Sequence, residues 1–516
     1  MGCTTPPGDP RAGPTVGPAP TPTGTPAPSV LRVAASDPGS LDPRDLDSHD
    51  DLLLASQLFD GLVAYRPGDA AVVPAAARSW EVEDGGRRFV FHLRPGASFH
   101  DGTPVRSRDF VAAWSRLADP LAAAPFGFLL ERVQGYQRFQ RRATEPTLAG
   151  LRAPNDRTLE VRLSQPWPDF VSVLGHPALS PVPAGTRGPD ADLRPIGNGP
   201  YRLVGELLPG EPIVMERFEG YAGTSSELDR LEFRVFEDPD EAWPEFLAGE
   251  LDVAPIPAAV LPEARSRFGD AGVVTLARLL YCGFNQLDPR LRWRRLGLAA
   301  SLAADRGAIA AEVYGGLAEP ATGIVPPTLP GYREDACQGA CTRDEERAAR
   351  LVEALPRRSR SFALDYARSD VGEALAEALR TQLEGVGLQV RPRPHPEREY
   401  RALLQREREE FFCLTWIADY PRQQALLEPL FLSTSPDNHT GVSDAALDRM
   451  LIRAREEPSA AARQELYAEA EEAALRRMPL VPLVWFRSHL AARPDVEGFA
   501  VDPLGLFDAA RLRLAG

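Results

Sequence analysis

Lysine is missing altogether: all 58 basic residues are arginine. Against 73 acidic residues they leave a net charge of −15 and an isoelectric point near 5.2. A surface built to hold a polyanion needs the opposite balance, so nucleic acid is not expected as a partner. Long apolar runs are missing too. No stretch of about 18 consecutive apolar residues occurs, so no helix of this chain is expected to cross a bilayer. The seven histidines (His49, His92, His100, His176, His395, His439 and His489) are scattered without ligand-like spacing. There is no phosphate-cradling glycine loop, no Gly-x-Ser-x-Gly elbow and no His-Glu-x-x-His. No catalytic residue, metal site or cofactor is therefore expected, and the chain does not read as an enzyme.

What is present is ample core-forming material. Hydrophobic residues make up 43% of the 516 and charged residues 25%, enough for about three domains at roughly 150 residues each, or for one large multi-lobed protein. The first 29 residues stand apart. Positions 4–29 hold nine Pro, six Thr and four Gly, with almost nothing to bury, so this stretch reads as a flexible or polyproline II tether reaching about 30 Å as a coil. Ahead of it, Met1-Gly2-Cys3 resembles the lipid-attachment site of a secreted bacterial lipoprotein, which makes Cys3 the expected anchor. N-myristoylation would want Ser or Thr where Pro6 stands.

Four further cysteines fit an exported protein. Cys337 and Cys341 flank a Gly-containing loop and could close a small disulfide; a zinc site would need two more ligands, and none are apparent nearby. Cys282 and Cys413 each lie in a short strand-like run and read as buried free thiols, with a pairing between them left open.

From Val30 onward the pattern is mixed α and β. Leu31, Val33 and Ala35 alternate as a strand does, as does Leu159–Leu163, and Phe89–Leu93, ended by Arg94-Pro95-Gly96, reads as a further strand. Phe362, Leu364 and Tyr366 share one strand face. Val371, Leu375, Ala378, Leu379 and Leu383 follow at helical spacing, and Leu388-Gln389-Val390 resumes a strand after Gly385-Val386-Gly387. That order predicts a βαβ unit with parallel pairing. Helices are expected at 444–456 and 460–477, ahead of a strand at 480–486.

Nine short motifs then occur in one order. They are Ser40-Leu41-Asp42-Pro43, Leu58-Phe59-Asp60-Gly61-Leu62, Ala77–Glu81, Phe89–Gly96, Phe99-His100-Asp101-Gly102-Thr103-Pro104-Val105, Asp109-Phe110-Val111, Ser180-Pro181-Val182-Pro183, Ile196–Tyr201 and Trp416-Ile417-Ala418-Asp419-Tyr420. Together they resemble the family 5 (oligopeptide/dipeptide-type) extracellular solute-binding proteins of ABC importers. The resemblance implies an α/β, two-lobed periplasmic-binding-protein-like fold (type II, cluster C) with an extra subdomain inserted in the first lobe. Lobe I would take 30–59, 182–278 and 485–516, the subdomain 60–181 and lobe II 279–484. It also implies a monomeric receptor, anchored outside the cell membrane or periplasmic, that captures short peptides between the lobes and delivers them to a permease and its ATPase. The same scaffold serves carriers of metal chelates, haem and oligosaccharides, and peptide sensors uncoupled from transport; those are the alternatives.

Two motifs invite chemistry that their residues do not support. His100-Asp101-Gly102 is a turn signal between extended stretches, and Gly197-Asn198-Gly199-Pro200 lacks the following helix a phosphate loop needs. Asp419 differs, because it projects from the end of an apolar strand. A binder indifferent to side chains must hold backbone amides and charged termini. Thr415, Trp416 and Ile417 would supply strand-like main-chain bonds and Asp419 the partner of the cargo's α-ammonium, the role this position has in the family. Trp416 and Cys413 could line the pocket or belong to the core. Asp47, Ser48 and His49 fall where the family lays an extended loop against the peptide, and their polarity fits a plain surface loop equally well. Arg368, Arg391, Arg393, Arg401 and Arg422 are the candidates for a cargo carboxylate.

Overall fold

The computed structural model describes residues 1–2, 28–141, 146–186, 192–407 and 409–515. Cys3, its proposed lipid and residues 4–27 of the tether lie outside the described residues.

Three sheets organise the chain. The first strand, Val30–Ala35, buries Leu31, Val33 and Ala35 and leaves the alternate positions half-buried, as a period of two requires. It pairs in parallel with Arg230–Val235 along its whole length and touches Val253–Pro255 at Val33. Leu490–Ala492, Ile213–Arg217 and Tyr201–Leu203 complete a six-stranded sheet, the core of lobe I. A four-stranded antiparallel sheet (Ala77–Glu83, Arg88–Leu93, Thr158–Arg162, Leu151–Asn155) lies inside the 60–181 stretch. The helix Ser107–Leu117 belongs to this subdomain, and its Trp114 indole donates to the Leu179 carbonyl at 2.8 Å.

Lobe II is built on a second six-stranded sheet, ordered Ala318–Pro320, Leu480–Arg487, Thr275–Phe284, Phe411–Ile417, Ser361–Ala367 and Gln389–His395. The last two pair in parallel and enclose the helix Asp370–Gly385, which is the βαβ unit the 3.6-residue spacing predicts. Its amino end is capped by Ser369, whose hydroxyl accepts from the Gly372 N–H.

Two segments cross between the lobes. Strands Thr275–Phe284 and Leu480–Arg487 belong to the lobe II sheet, whereas Leu490–Ala492 belongs to that of lobe I. Between the sheets, Gly272 pairs with Leu490, and the Ser488 N–H donates to the Val274 carbonyl at 2.8 Å. The strands of this sheet run a few residues outside 279–484, because Thr275 pairs with Arg487.

Cys282 and Cys413 are not the buried free thiols their sequence context suggests. They stand directly opposite each other in the antiparallel ladder, Cα atoms 4.0 Å apart, and are joined by a disulfide. Only the ladder register brings these two positions together. Cys337 and Cys341 form a second disulfide.

The two glycine-rich motifs interlock. A Cβ on Gly197 would fall 1.9 Å from the Leu58 carbonyl oxygen, and one on Gly199 2.6 Å from the Leu58 carbonyl carbon, so the motif exists to let backbones touch. Asn198 bonds both the N–H and the carbonyl of Asp60 at 3.0 Å. His100 is held between the Gly197 N–H and the Gly199 carbonyl, and burial brings its imidazole down to about 4, leaving it neutral.

Candidate functional site

The strand Phe411–Ile417 owes its exposed edge to the sheet's geometry. On one side it pairs along its full length with Thr275–Phe284. On the other, Ser361–Ala367 meets only Phe411 and Phe412. Beyond that point the edge has no strand partner among the described residues, apart from the Tyr400 hydroxyl, which donates to the Cys413 carbonyl at 2.7 Å. Thr415 and Trp416 are half-buried, and Ile417 is 56% exposed. A free strand edge of this kind accepts an extended chain through main-chain hydrogen bonds.

Asp419 lies two residues past that edge. The strand stops as the Ala418 N–H donates to the Ala277 carbonyl at 2.9 Å, which pins buried Ala418 and Tyr420 and leaves Asp419 half-buried between them. No ion pair or side-chain hydrogen bond engages its carboxylate among the described residues. Burial first, then the Asp437 carboxylate, push the Asp419 carboxyl up to about 7, against a smaller pull from its own backbone N–H. A half-buried carboxyl without a counter-ion can take one from a ligand.

Arg278 is its opposite in charge, and no local pattern around it marks it out. It stands opposite Ile417 in the ladder, so both side chains share one sheet face. Its guanidinium lies 4.4 Å from the Phe486 ring centroid, and Tyr314 packs edge-on against Phe486. No carboxylate pairs with it among the described residues, its Nε has no hydrogen-bond partner, and burial lowers its pKa. Arg278 thus lies across the paired side of this strand and Asp419 two residues past its end, each lacking a counter-ion among the described residues.

The remaining expected residues take varied places. The Trp416 indole donates to the Ala425 carbonyl at 2.8 Å, fixing its polar edge to the helix Gln424–Phe431. Cys413 is held in its disulfide. Asp47, Ser48 and His49 form a helix start instead of an extended loop. Ser48 caps the helix His49–Leu58, accepting from the Asp51 N–H at 3.0 Å, while Asp51 accepts from the N–H groups of Asp47 and Ser48. The polar Asp-Ser-His run is itself a capping signal. His49 Nε2 lies 3.1 Å from the Gly505 carbonyl oxygen, and the Ala277 N–H donates to the Pro503 carbonyl at 2.7 Å. The loop 502–506 therefore connects this helix start to the strand bearing Arg278.

Of the five arginines considered, Arg391, Arg393 and Arg401 face carboxylates of their own lobe, Glu410, Asp365 and Glu397, and Arg368 is exposed. Arg422 alone among the five reaches the subdomain, 3.3 Å from Asp169 and 3.1 Å from the Ala70 carbonyl oxygen. Arg463 meets the same Asp169 at 3.1 Å, and Arg132 of the subdomain meets Glu428 of lobe II at the same distance. A cavity of about 280 Å³ between subdomain and lobe II is lined by Asp169, Arg422, Gln423, Gln424, Arg463 and Tyr467.

Comparison with known proteins completes the picture. YgiS of Escherichia coli K12, named as a probable deoxycholate-binding periplasmic protein, is 31% identical over 484 residues, covering 90% of this chain and 89% of that protein. The periplasmic oligopeptide-binding protein OppA of Salmonella typhimurium is 27% identical over 498 residues, 92% of this chain and 90% of its own. Among solved structures, the unliganded open form of the periplasmic murein tripeptide-binding protein MppA superposes with a TM-score of 0.81 at 23% identity, covering 94% of this chain and 97% of that one. Haemophilus influenzae OppA in complex with RPPGFSPFR gives 0.73 at 24%, covering 94% and 99%. These neighbours share the two-lobed α/β fold. The family model for the middle region of the bacterial extracellular solute-binding proteins, family 5, matches residues 71–438, and the chain belongs to that family.

Proposed function

We propose that this protein is the solute-binding receptor of an ABC importer and that its cargo is short peptides with a free amino terminus. The observation that carries this reading is Asp419, a half-buried carboxylate with no cationic partner at the end of a strand whose outer edge is unpaired. The edge from Thr415 to Ile417 bonds the cargo backbone whatever its sequence, and Asp419 takes the α-ammonium and fixes the register. Arg278 meets a cargo carboxylate in front of Phe486 and Tyr314. Relatives named for oligopeptide and murein peptide binding support the same cargo class. Closure of the lobes about the segments 268–274 and 488–489 encloses the peptide, and the closed form delivers it to the permease and ATPase. The receptor works as a monomer outside the cytoplasm, held to the membrane through a lipid on Cys3. Calorimetry with a panel of di- to pentapeptides tests the reading: saturable heat with free peptides supports it, and no heat with any of them removes the peptide cargo.

A second reading rests on one observation. An arginine without a carboxylate partner, walled by Phe486, also suits an amphipathic carboxylate, and one relative is named for binding deoxycholate. Under that reading deoxycholate gives saturable heat, peptides give none, and Asp419→Asn leaves deoxycholate affinity unchanged.

A further inference from the structure

A cavity of about 430 Å³ opens at the seam between lobe I, the subdomain and the C-terminal segment. Asp419, Thr415, Arg278 and His49 do not line it, so it is separate from the proposed peptide site. Its walls come from motifs that peptide binding leaves unused: Asp60 and Gly61 of Leu58–Leu62, Arg94 of Phe89–Gly96, Ser180 of Ser180–Pro183 and Pro200 of Ile196–Tyr201. The volume is that of a small-molecule site.

The charge is unbalanced. Asp60, Glu227, Asp502 and Asp508 line the cavity against two guanidiniums, Arg94 and Arg511. Arg511 is engaged by Asp508 at 2.8 Å, and Arg94 donates to the carbonyls of Ala75 and Pro74. Asp60 accepts the Tyr221 hydroxyl at 2.8 Å and makes no ion pair among the described residues. Asp502 is 7% exposed, and its carboxylate accepts from the N–H groups of Leu504 and Leu506. Burial holds the Asp60 carboxyl up at about 7 and that of Asp502 at about 6.

An independent feature borders the same space. Ser180 is 1% exposed, lines the cavity, and its hydroxyl has no hydrogen-bond partner. A buried hydroxyl left so carries an uncompensated desolvation cost unless a water or a ligand meets it. The ligand is not a bare metal ion. Among the described residues the one trio of carboxylates close enough to share a metal is Asp42, Asp45 and Asp192, outside this cavity. Phe59, Tyr65 and Phe507 also line the cavity, and their rings suit a carbon chain.

We propose that this cavity is a second ligand site that takes a small aliphatic diamine, its ammonium groups meeting Asp60 and Asp502 and one N–H donating to Ser180. The test is calorimetry on the full chain with putrescine and spermidine, with magnesium chloride at matched ionic strength as the comparison. The expected result is saturable amine binding that falls at least tenfold in Asp60→Asn and severalfold in Ser180→Ala, the variant that serves if Asp60→Asn does not fold. Binding stays unchanged in Asp419→Asn and with a saturating tripeptide present. No saturable heat with either amine, equal heats from magnesium, or binding that survives both cavity variants overturns the proposal. Loss of amine binding in Asp419→Asn overturns it too, by placing the amine in the peptide cleft. Because peptides are not needed for the measurement, failure of the peptide reading leaves this result interpretable.

Discussion

Arg278 stands directly across the ladder from Ile417, two residues before Asp419, so a cation and a carboxylate that both lack counter-ions lie at the same end of one strand. Replacing Arg278 with Gln should weaken peptides with a free carboxylate by about 10- to 150-fold, the effect of losing about 1.5–3 kcal/mol of charge-assisted bonding. C-terminally amidated peptides should lose almost nothing. Titration calorimetry of each peptide against both proteins separates the two.

Acidity should tune capture. Asp419 pairs with an ammonium only when ionised, and its carboxyl sits at about 7 in the empty protein. The ionised fraction drops about 50-fold from pH 7 to pH 5, while a peptide's own ammonium deprotonates above about pH 8. Affinity for free peptides should therefore peak between about pH 7 and 8 and fall about 50-fold by pH 5. N-acetylated peptides should show no such acid limb in the same titrations.

The empty receptor should be less stable for holding Asp419. A carboxyl raised from 3.8 to about 7 stabilises the fold fully below about pH 4 and loses that contribution as pH rises toward 7. At pH 8 the protein carries an uncompensated half-buried charge. Asp419→Asn should raise unfolding stability there by about 1–2 kcal/mol, after discounting for partial exposure, and change it little at pH 4. Urea unfolding at the two pH values reads this out.

The two disulfides should differ in worth. Cys282–Cys413 closes 131 residues and Cys337–Cys341 only 4. Loop-closure entropy gives about 5 kcal/mol for the first and about 2 kcal/mol for the second. Denaturant unfolding of the two paired Cys→Ala variants should rank them in that order, with the 282/413 variant the less stable.

Local periodicity carried much of the architecture. Leu31, Val33 and Ala35 reported their buried face directly, and the spacing from Val371 to Leu383 defined the helix inside the parallel unit. Turn chemistry also read correctly at His100-Asp101-Gly102, where Asp101 accepts from the Thr103 N–H at 2.9 Å. What pairs across long sequence distances did not show. The Cys282–Cys413 bond depends on ladder register, and Arg278 looks like any surface arginine until Ile417 and Phe486 are placed beside it. Asp47, Ser48 and His49 took their expected role from family likeness, although Ser48 followed three residues later by Asp51 is a helix-capping signal. The contacts of Asp169 with Arg422 and Arg463 join the subdomain to lobe II and have no local signature.

The central claim is that Asp419 holds the amino end of the cargo. Its most direct test compares one tripeptide and its N-acetylated form on the wild-type protein and on Asp419→Asn by calorimetry. A buried ammonium–carboxylate pair predicts that acetylation costs the wild type about 30- to 4,000-fold in affinity, and that this difference collapses to within a few fold in the variant. An acetylation penalty of the same size in both proteins would contradict the account.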